Sequence, residues 1–364
     1  MKNIKLFNVE KDFLTNKKSY IEGLKNFMSS GRYILGKNVA KLEKKLCNVT
    51  GAKYCVTTSN GTDSLEIAMR AININPNDEV IVPAFTWIST ASSVKIIRAK
   101  PIFCDIELDS YGLDYAEVIK KITKKTKAVI IVSLYGIISR DFFKIKKLCK
   151  KHKITLIEDA AQSFGSSLGK YNSCNIADIS TTSFFPTKSL GGYGDGGAIF
   201  TNKKKLATKI KLLKQNGTLD KKKFNFIGRN ARFDEIQACL ILEKLKRFNL
   251  LLSRKRNIAK TYFKFLNILS NKKQEKNFLP SYSLFTIRVK NRIKFLNFLK
   301  KKKIQYGVYY NYILPDLKIF KTKEHFKNSK KASLECCSIP INEWLTDKEV
   351  SYIVKQINYF NKLN

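Results

Sequence analysis

A lysine in an unusual setting is the most informative feature of the sequence. Lys188 lies in Ser180–Phe200 (STTSFFPTKSLGGYGDGGAIF), where it follows a predicted strand and a proline and precedes a dense run of glycines. Glycines permit left-handed turns and a close approach of the backbone to a ligand. A lysine amine whose pKa is lowered by burial is a nucleophile that forms a Schiff base with an aldehyde. An ordinary lysine on a surface loop is the alternative interpretation.

A short polar segment, Gly61–Asp63, is a candidate phosphate site. It lies between a strand predicted over residues 53–57 and an apolar helix predicted over residues 64–72. Free backbone N–H groups and the helix dipole favour an anion at the start of a helix, and Thr62 adds a hydroxyl. Alternatively, one of the polar side chains of residues 59–63 simply caps the helix.

Two carboxylates end an apolar stretch further along the chain. Ile154–Gly165 (ITLIEDAAQSFG) is predicted to start as a strand and to run directly into Glu158 and Asp159. In open α/β sheets the carboxyl ends of the strands face the ligand crevice. A carboxylate at that place can pair with the protonated ring nitrogen of a cofactor. The other interpretation is a carboxylate that caps the following helix.

Two further segments offer groups that could contact a ligand. Trp87 closes another predicted strand, where its ring can stack on a flat cofactor or pack in the core. Gly228–Arg232 (GRNAR) precedes a predicted helix and carries polar groups suited to a phosphate or a carboxylate, since arginine binds carboxylates through two hydrogen bonds. A solvated turn with a helix cap is the alternative for that segment.

The order of predicted elements indicates an α/β fold. Helical and strand patterns alternate over the first part of the chain, as is typical of a mostly parallel sheet. The spacing of apolar residues predicts a helix over Val39–Val49. The predicted strands are Lys53–Thr57, Glu79–Val82, Pro101–Asp105, Ala128–Ser133, Ile154–Glu158, Thr181–Phe185 and Gly197–Thr201.

The pattern changes near residue 233. Asp234–Phe263 is predicted as one long, positively charged helix. Beyond it we predict a strand over Leu284–Val289, a helix over Arg292–Lys302 and a strand over Ser333–Ile339. We therefore expect an N-terminal segment and large domain over residues 1–235, and a connecting helix with a smaller C-terminal α+β domain over residues 236–364.

The net charge of +40 over 364 residues is the outlier in the composition. Lysine and arginine neutralise phosphates, so one hypothesis is nucleic-acid binding. The lysines recur along the whole chain, however, and no zinc-finger or RNP-type motif accompanies them. We interpret the charge as lysines spread over solvated surfaces, where they would also attract an anionic substrate, and we expect no specific nucleic-acid partner.

The cysteines and histidines narrow the possible chemistry. No two of the eight cysteines form a C-x-x-C pair, and we expect them to be reduced and mostly buried. Cys336 and Cys337 are adjacent, which suits a strand buried on both faces better than a redox pair. Two histidines are too few for a multi-histidine metal site or a Ser-His-Asp triad, and we expect no metal.

No window of the sequence reaches the ~20 apolar residues of a membrane span, so we expect a soluble, cytoplasmic protein.

Taken together and in order, these segments resemble the DegT/DnrJ family of pyridoxal-5′-phosphate (PLP) sugar aminotransferases. The resemblance covers nearly the whole chain, from Gly31–Gly36 to Ser338–Pro340. The most specific matching motifs are SNGTDSL, EDAAQSFG, TSFFPTKSLGGYGDGGAIFTN and GRNARFDEIQA. The resemblance implies the type I, aspartate-aminotransferase-like fold, with a large domain built on a mostly parallel mixed sheet and a smaller C-terminal α+β domain.

The resemblance also implies a role for each matching residue. Lys188 would form the Schiff base with PLP and move the proton in catalysis. Asp159 would pair with the pyridinium nitrogen, and Gln162 would lie near the ring and its phenolic oxygen. The remaining implied cofactor contacts are Gly61, Thr62 and Ser183 at the phosphate, Trp87 stacked on the ring, and Asn230 reaching the phosphate of the neighbouring subunit's cofactor in a homodimer.

Within the family, the wording of the lysine segment is closest to enzymes that make 3-amino sugars. The resemblance implies transfer from L-glutamate to UDP-2-acetamido-2-deoxy-3-oxo-glucuronate through a pyridoxamine phosphate form, in the biosynthesis of cell-surface polysaccharides such as O-antigen. Arg232 would then bind the sugar carboxylate across the dimer interface. The loop with Tyr309 and Tyr310 would border the sugar, although relatives have a histidine where Tyr309 stands.

Two alternatives remain at this point. The first is a dTDP-linked 3-keto-6-deoxyhexose as the amino acceptor. The second belongs to another class of protein, a basic nucleic-acid-binding or regulatory protein built on a PLP fold, and the net charge of +40 is its motivation.

Overall fold

The computed structural model describes residues 3–220, 222–266 and 277–363. Within these residues twelve strands form one large sheet and two small ones. The strands are β1 (Tyr54–Thr58), β2 (Glu79–Pro83), β3 (Lys100–Cys104), β4 (Thr126–Val132), β5 (Thr155–Asp159), β6 (Ser167–Leu168), β7 (Tyr171–Asn172), β8 (Ile179–Ser183), β9 (Gly197–Thr201), β10 (Phe278–Leu279), β11 (Phe285–Arg288) and β12 (Cys336–Ile339).

The large sheet has seven strands in the order β1-β9-β8-β5-β4-β2-β3 across the described residues. Strands β3, β2, β4, β5 and β8 are mutually parallel, and β9 runs antiparallel to both β8 and β1. The mostly parallel mixed sheet expected from the sequence is thereby confirmed. All seven of its strands lie within two residues of the predicted bounds.

Twelve α-helices connect and cover the strands in the described part of the chain. None of these helices is long and apolar enough to cross a membrane. They are α1 (Val9–Ser29), α2 (Lys37–Thr50), α3 (Gly61–Ala71), α4 (Ser89–Ile96), α5 (Tyr115–Lys121), α6 (Phe142–Lys151), α7 (Lys204–Leu213), α8 (Glu235–Leu245), α9 (Phe248–Phe265), α10 (Arg292–Lys301), α11 (Lys327–Glu335) and α12 (Asp347–Lys362).

Both faces of the large sheet are buried, because successive residues of its central strands enter different cores. Val80 and Val82 pack in the core on one face, whereas Ile81 packs in the core on the other. Parallel strands that are covered on both sides in this way consist of nearly continuous apolar residues. The arrangement gives a three-layer architecture whose carboxyl strand ends form one shared edge.

The C-terminal region has a separate core around the antiparallel pair β11–β12. Phe285 of β11, Phe295 of α10 and Ile353 of α12 pack there, together with Tyr262 from α9. Cys336 and Cys337 are fully buried in β12, as the strand interpretation expected, and all eight cysteines are free thiols. The domain boundary after residue 235 stays a prediction; it falls at the first residue of α8.

Two predicted elements are wrong in detail. The single helix over Asp234–Phe263 is in fact α8 and α9, which are separated at Lys246 and Arg247. Arg247 leaves the helical conformation, with φ of −110° and ψ of 1°, and it begins the second helix as the N-cap residue. The predicted strand over Ser333–Ile339 begins only at Cys336, because the three residues before it finish α11.

The break between α8 and α9 places Arg247 against a buried carboxylate. The Arg247 Nη2 atom lies 3.2 Å from Oδ1 of Asp12, which is 1% exposed. The Tyr20 hydroxyl donates a further hydrogen bond to the same carboxylate. The pair therefore fastens α1 to the junction of the two later helices.

We predict that Arg247→Met lowers the free energy of unfolding by about 3 kcal/mol, because it leaves Asp12 as an uncompensated buried charge. Urea unfolding followed by circular dichroism measures the change. Arg140→Met is the matched control, since Arg140 pairs with Asp109 at 2.8 Å while both side chains are more than half exposed, and it should change stability by less than about 0.5 kcal/mol. Equal effects of the two substitutions would contradict the prediction.

Candidate active site

A cavity of about 860 Å³ opens at the carboxyl ends of β4, β5 and β8. Its lining also includes the first residues of α3 and a loop from the C-terminal region. Of the residues proposed from the sequence, those that line this cavity are Gly61, Thr62, Trp87, Asp159, Gln162, Ser183, Lys188, Tyr309 and Tyr310. Nine side chains and backbone segments from distant parts of the sequence therefore meet in one place.

Lys188 lies in the turn that follows β8. Its backbone N–H donates to the carbonyl oxygen of Phe185 at 2.8 Å, which closes the turn and directs the side chain to the cavity. Among the described residues, no ion pair includes its ammonium group. Burial lowers the pKa of Lys188, and the negative charge of Asp159 partly opposes that change. A lysine in this state is closer to a free amine than a solvated one.

Asp159 ends β5 and faces the same cavity. Its carboxylate accepts hydrogen bonds from Thr90 Oγ1 at 3.0 Å and from the backbone N–H of Ala161 at 3.2 Å. Burial raises its pKa above the ordinary value, while these donors and the Lys188 charge act in the opposite direction. A second cation placed beside this carboxylate would favour its ionised form. Thr90 was not predicted as a site residue; its position in α4 gives no sequence signal.

The preceding residue, Glu158, points away from the cavity. Its carboxylate accepts from Ser173 Oγ at 2.7 Å, Ser180 Oγ at 2.9 Å and the backbone N–H of Cys174 at 3.0 Å. Burial raises the pKa of Glu158 to about 7. Of the two adjacent carboxylates, only Asp159 is therefore placed to contact a ligand in this cavity.

The start of α3 forms an anion cradle. Asn60 is the N-cap, and its side chain accepts from the backbone N–H of Asp63 at 2.8 Å. The N–H groups of Gly61 and Thr62 remain for a ligand, and Thr62 Oγ1 lies 2.8 Å from Ser89 Oγ. A Cβ atom on Gly61 would lie 3.0 Å from Ser183 Cβ, so the glycine permits β8 to approach the helix. The capping interpretation is thus confirmed for Asn60, and the phosphate role of Gly61 and Thr62 stays a prediction.

The glycines after Lys188 serve close backbone packing. None of the glycines of residues 191–197 has a positive φ, so the expected left-handed turns are absent from this run. A Cβ atom on Gly191 would lie 2.1 Å from the carbonyl oxygen of Pro186, and one on Gly197 would lie 2.5 Å from that of Asn60. Gly191 therefore lets the lysine turn fold closely on itself, and Gly197 lets β9 pack against the start of α3.

Aromatic side chains form the wall opposite the cradle. Trp87 is half exposed, and its ring centroid lies 5.6 Å from that of Tyr310. Gln162 Nε2 donates to the Tyr310 hydroxyl at 3.2 Å, and Gln162 Oε1 accepts from the backbone N–H of Tyr135 at 2.7 Å. Sequence reasoning missed Tyr135, which lies in none of the predicted motifs.

Two predicted residues, Asn230 and Arg232, do not line the cavity of their own chain. Asn230 is exposed, and Arg232 has no ion pair among the residues described. Arg229 does line the cavity, and its Nη1 atom lies 3.0 Å from Asp63 Oδ1 and contacts Glu66 as well. The GRNAR segment therefore contains one arginine that is neutralised within the chain and one that is not.

A family model for DegT/DnrJ/EryC1/StrS aminotransferases matches residues 15–358. The chain belongs to this family. The UDP-2-acetamido-2-deoxy-3-oxo-D-glucuronate aminotransferase of Pseudomonas aeruginosa is 37% identical over 334 residues, which are 91% of this chain and 93% of that relative. The dTDP-3-amino-3,6-dideoxy-alpha-D-galactopyranose transaminase of Aneurinibacillus thermoaerophilus is 33% identical over 345 residues, 93% and 94% of the two chains.

A solved structure agrees on fold and cofactor. NtdA from Bacillus subtilis with bound cofactor PMP superposes with a TM-score of 0.91 at 27% identity, and the match covers 100% of this chain and 86% of that one. The family is PLP-dependent, and the expected type I architecture is confirmed. The cavity suits this cofactor, since it combines a lysine, a carboxylate at one end and an N–H cradle for a phosphate at the other.

We predict that Thr62→Val raises the dissociation constant of PLP by about tenfold, because it removes a hydroxyl donor from the phosphate cradle at nearly constant volume. Absorbance titration of the cofactor-free protein with PLP gives this constant. Thr62→Ser keeps the hydroxyl and should bind PLP as the unaltered protein does. If the two variants bind PLP equally well, the cradle is not where the phosphate lies.

Proposed function

We propose that the protein transfers the amino group of L-glutamate to UDP-2-acetamido-2-deoxy-3-oxo-glucuronate. Glutamate leaves as 2-oxoglutarate, and the 3-keto group of the sugar becomes an amine. The observation that carries the proposal is the 37% identity to an aminotransferase named for this sugar, which extends over 91% of the chain. The chain belongs to a family of aminotransferases, whose named relatives act on nucleotide sugars. A cavity that contains a buried lysine suits that reaction.

Lys188 is the residue to which we assign the proton transfer. Its amine lies in the cavity, and burial lowers its pKa, so that it can take a proton from the α carbon of the donor amino acid. When bound, PLP supplies an electron-withdrawing ring that stabilises the negative charge developing at that carbon. Asp159 holds a proton on the ring nitrogen by presenting its carboxylate there.

The remaining cofactor contacts follow from the shape of the cavity. Gly61, Thr62 and Ser183 offer N–H and hydroxyl donors in one cluster, which we assign to the phosphate. Trp87 presents an exposed ring face that suits stacking on the cofactor. Gln162 orients its amide between two tyrosines at the cavity wall, where it would lie beside the ring.

We assign Asn230 and Arg232 to the cavity of a second subunit in a homodimer. Both residues follow a loop with large exposed apolar side chains, of which Phe224 is 65% and Ile227 is 88% exposed. Exposed apolar groups of this size favour a protein interface. Since neither residue lines its own cavity, contact with the partner's cavity gives each of them a role.

The carboxylate of the proposed sugar needs a cationic partner. Arg229 is engaged by Asp63 and Glu66, whereas Arg232 has no ion pair among the described residues. An arginine that is free in this way can bind a carboxylate through two hydrogen bonds. Tyr309 and Tyr310 also line the cavity, and we assign them to its sugar side.

A dTDP-linked 3-keto-6-deoxyhexose is the second candidate acceptor. The relative named for a dTDP-linked 3-amino sugar, 33% identical over 93% of the chain, supports it. A 6-deoxyhexose has no carboxylate, so this alternative gives Arg232 no substrate group to bind. The two candidates are therefore separated by the role of a single side chain.

The holoprotein, first converted by L-glutamate, should react with UDP-2-acetamido-2-deoxy-3-oxo-glucuronate faster than with dTDP-linked 3-keto-6-deoxyhexoses. The change in cofactor absorbance reports each half-reaction. Arg232→Met should raise the KM for the UDP-linked sugar by about 10- to 100-fold, through loss of a charged hydrogen bond, and should leave any reaction with the dTDP-linked sugars unchanged.

Arg140→Met is the control and should leave the KM for the UDP-linked sugar unchanged, because Arg140 pairs with Asp109 on the surface and does not line the cavity. A protein that prefers the dTDP-linked sugars would overturn the proposed substrate. An Arg232→Met variant with an unchanged KM for the UDP-linked sugar would overturn the assignment of the carboxylate contact.

A further inference from the structure

Tyr135 is a fully buried residue at the carboxyl edge of the large sheet. It lies in the short turn Leu134–Gly136 after β4, and its backbone has φ of 60° and ψ of 8°. A residue other than glycine adopts this left-handed backbone conformation at an energetic cost. Such a conformation persists where surrounding contacts hold it, and Tyr135 has contacts on both sides of the active-site cavity.

The first contact is with the cofactor side of the cavity. The backbone N–H of Tyr135 donates to Gln162 Oε1 at 2.7 Å. Gln162 Nε2 donates in turn to the Tyr310 hydroxyl at 3.2 Å. The left-handed turn is thus what presents the N–H of Tyr135 to Gln162.

The second contact is with the sugar side. The Tyr135 hydroxyl donates a hydrogen bond to the backbone carbonyl of Tyr309. Tyr309 and Tyr310 belong to the loop of residues 308–312, which lines the cavity. Besides the Gln162 contact with Tyr310, the loop is fixed at its ends, where Gly307 pairs with Ser338 and the N–H of Leu314 donates to the carbonyl oxygen of Ala84 at 2.8 Å.

These contacts make Tyr135 a link between two walls of one cavity. Its hydroxyl holds the middle of the 308–312 loop, and the Tyr310 ring of that loop packs on Trp87 and Phe85. Without this hydrogen bond, the centre of the loop would be held through the Tyr310 side chain, and the backbone at Tyr309 would move more freely. The position of the Tyr309 backbone therefore depends on a residue that itself lies outside the lining of the cavity.

We propose that Tyr135 is a positioning residue that sets the sugar-facing edge of the cavity by holding the Tyr309 carbonyl. This inference rests on the proposed function only in that a keto-sugar is the second substrate. Lys188 and Asp159 lie on other elements, and the Asp159 carboxylate is held by Thr90 and the backbone of Ala161, so loss of the Tyr135 hydroxyl affects the sugar half-reaction and spares the glutamate half-reaction.

The kinetic test compares Tyr135→Phe with Tyr111→Phe. The rings of these two buried tyrosines are 5.1 Å apart, but the hydrogen bond to the Tyr309 carbonyl comes from Tyr135. Tyr135→Phe should raise the KM for the keto-sugar that the unaltered protein accepts by about tenfold, with kcat/KM for glutamate within about twofold. Tyr111→Phe should change neither value. Equal losses in both half-reactions, or no loss for Tyr135→Phe, would overturn the inference.

A cofactor-free measurement separates this inference from the proposed function. The chain has two tryptophans, so a Trp344→Phe background leaves Trp87, which packs on Tyr310, as the sole reporter. Acrylamide should quench Trp87 fluorescence more strongly once Tyr135→Phe is added, and not once Tyr111→Phe is added. Unchanged quenching would overturn the positioning role even if the sugar is correctly identified; increased quenching supports it even if every sugar tested is refused.

Discussion

The attraction between the Lys188 ammonium and the Asp159 carboxylate in one buried cavity is the interaction on which the site depends. Burial lowers the pKa of the lysine and raises that of the aspartate, and each charge partly restores the ionised form of the other. The lowered pKa of Lys188 favours its free amine, which is the form that can take a proton from a carbon atom.

The sheet brings these two groups together from positions 29 residues apart. Asp159 ends β5, and Lys188 follows β8, the strand that pairs with β5 in parallel. Parallel neighbours end at the same edge, so residues after them meet without further constraint. Gly191 then permits the lysine turn to fold closely on itself, and Gly197 permits β9 to pack against the start of α3, which adds the candidate anion cradle to the same edge.

Much of this arrangement could be predicted from the sequence. Apolar runs gave the strand positions, and the motifs around Thr62, Asp159 and Lys188 indicated residues that do line one cavity. Thr90 and Tyr135 could not be predicted, because their hydrogen bonds join elements that are distant in sequence. The break at Arg247 was missed since the helical pattern continues through it, and the reason for it is a buried carboxylate in α1.

One missed element did have a sequence signal. Helix α12 starts at a capping box, in which Thr346 Oγ1 accepts from the Glu349 N–H at 3.2 Å and the Glu349 side chain accepts from the Thr346 N–H at 2.8 Å. A threonine followed three residues later by a glutamate is the usual sign of such a start. By contrast, helix α1 has no side-chain cap, so its start had no comparable signal.

The most direct test of the central claim is to find the lysine that holds the cofactor. Borohydride reduction of the PLP-loaded protein fixes the cofactor covalently to that lysine, and mass spectrometry of the proteolytic peptides identifies it. We predict a single labelled site, at Lys188, and no label in a Lys188→Ala variant. Label on another of the lysines, or an unlabelled Lys188 in protein that has bound PLP, would contradict the account.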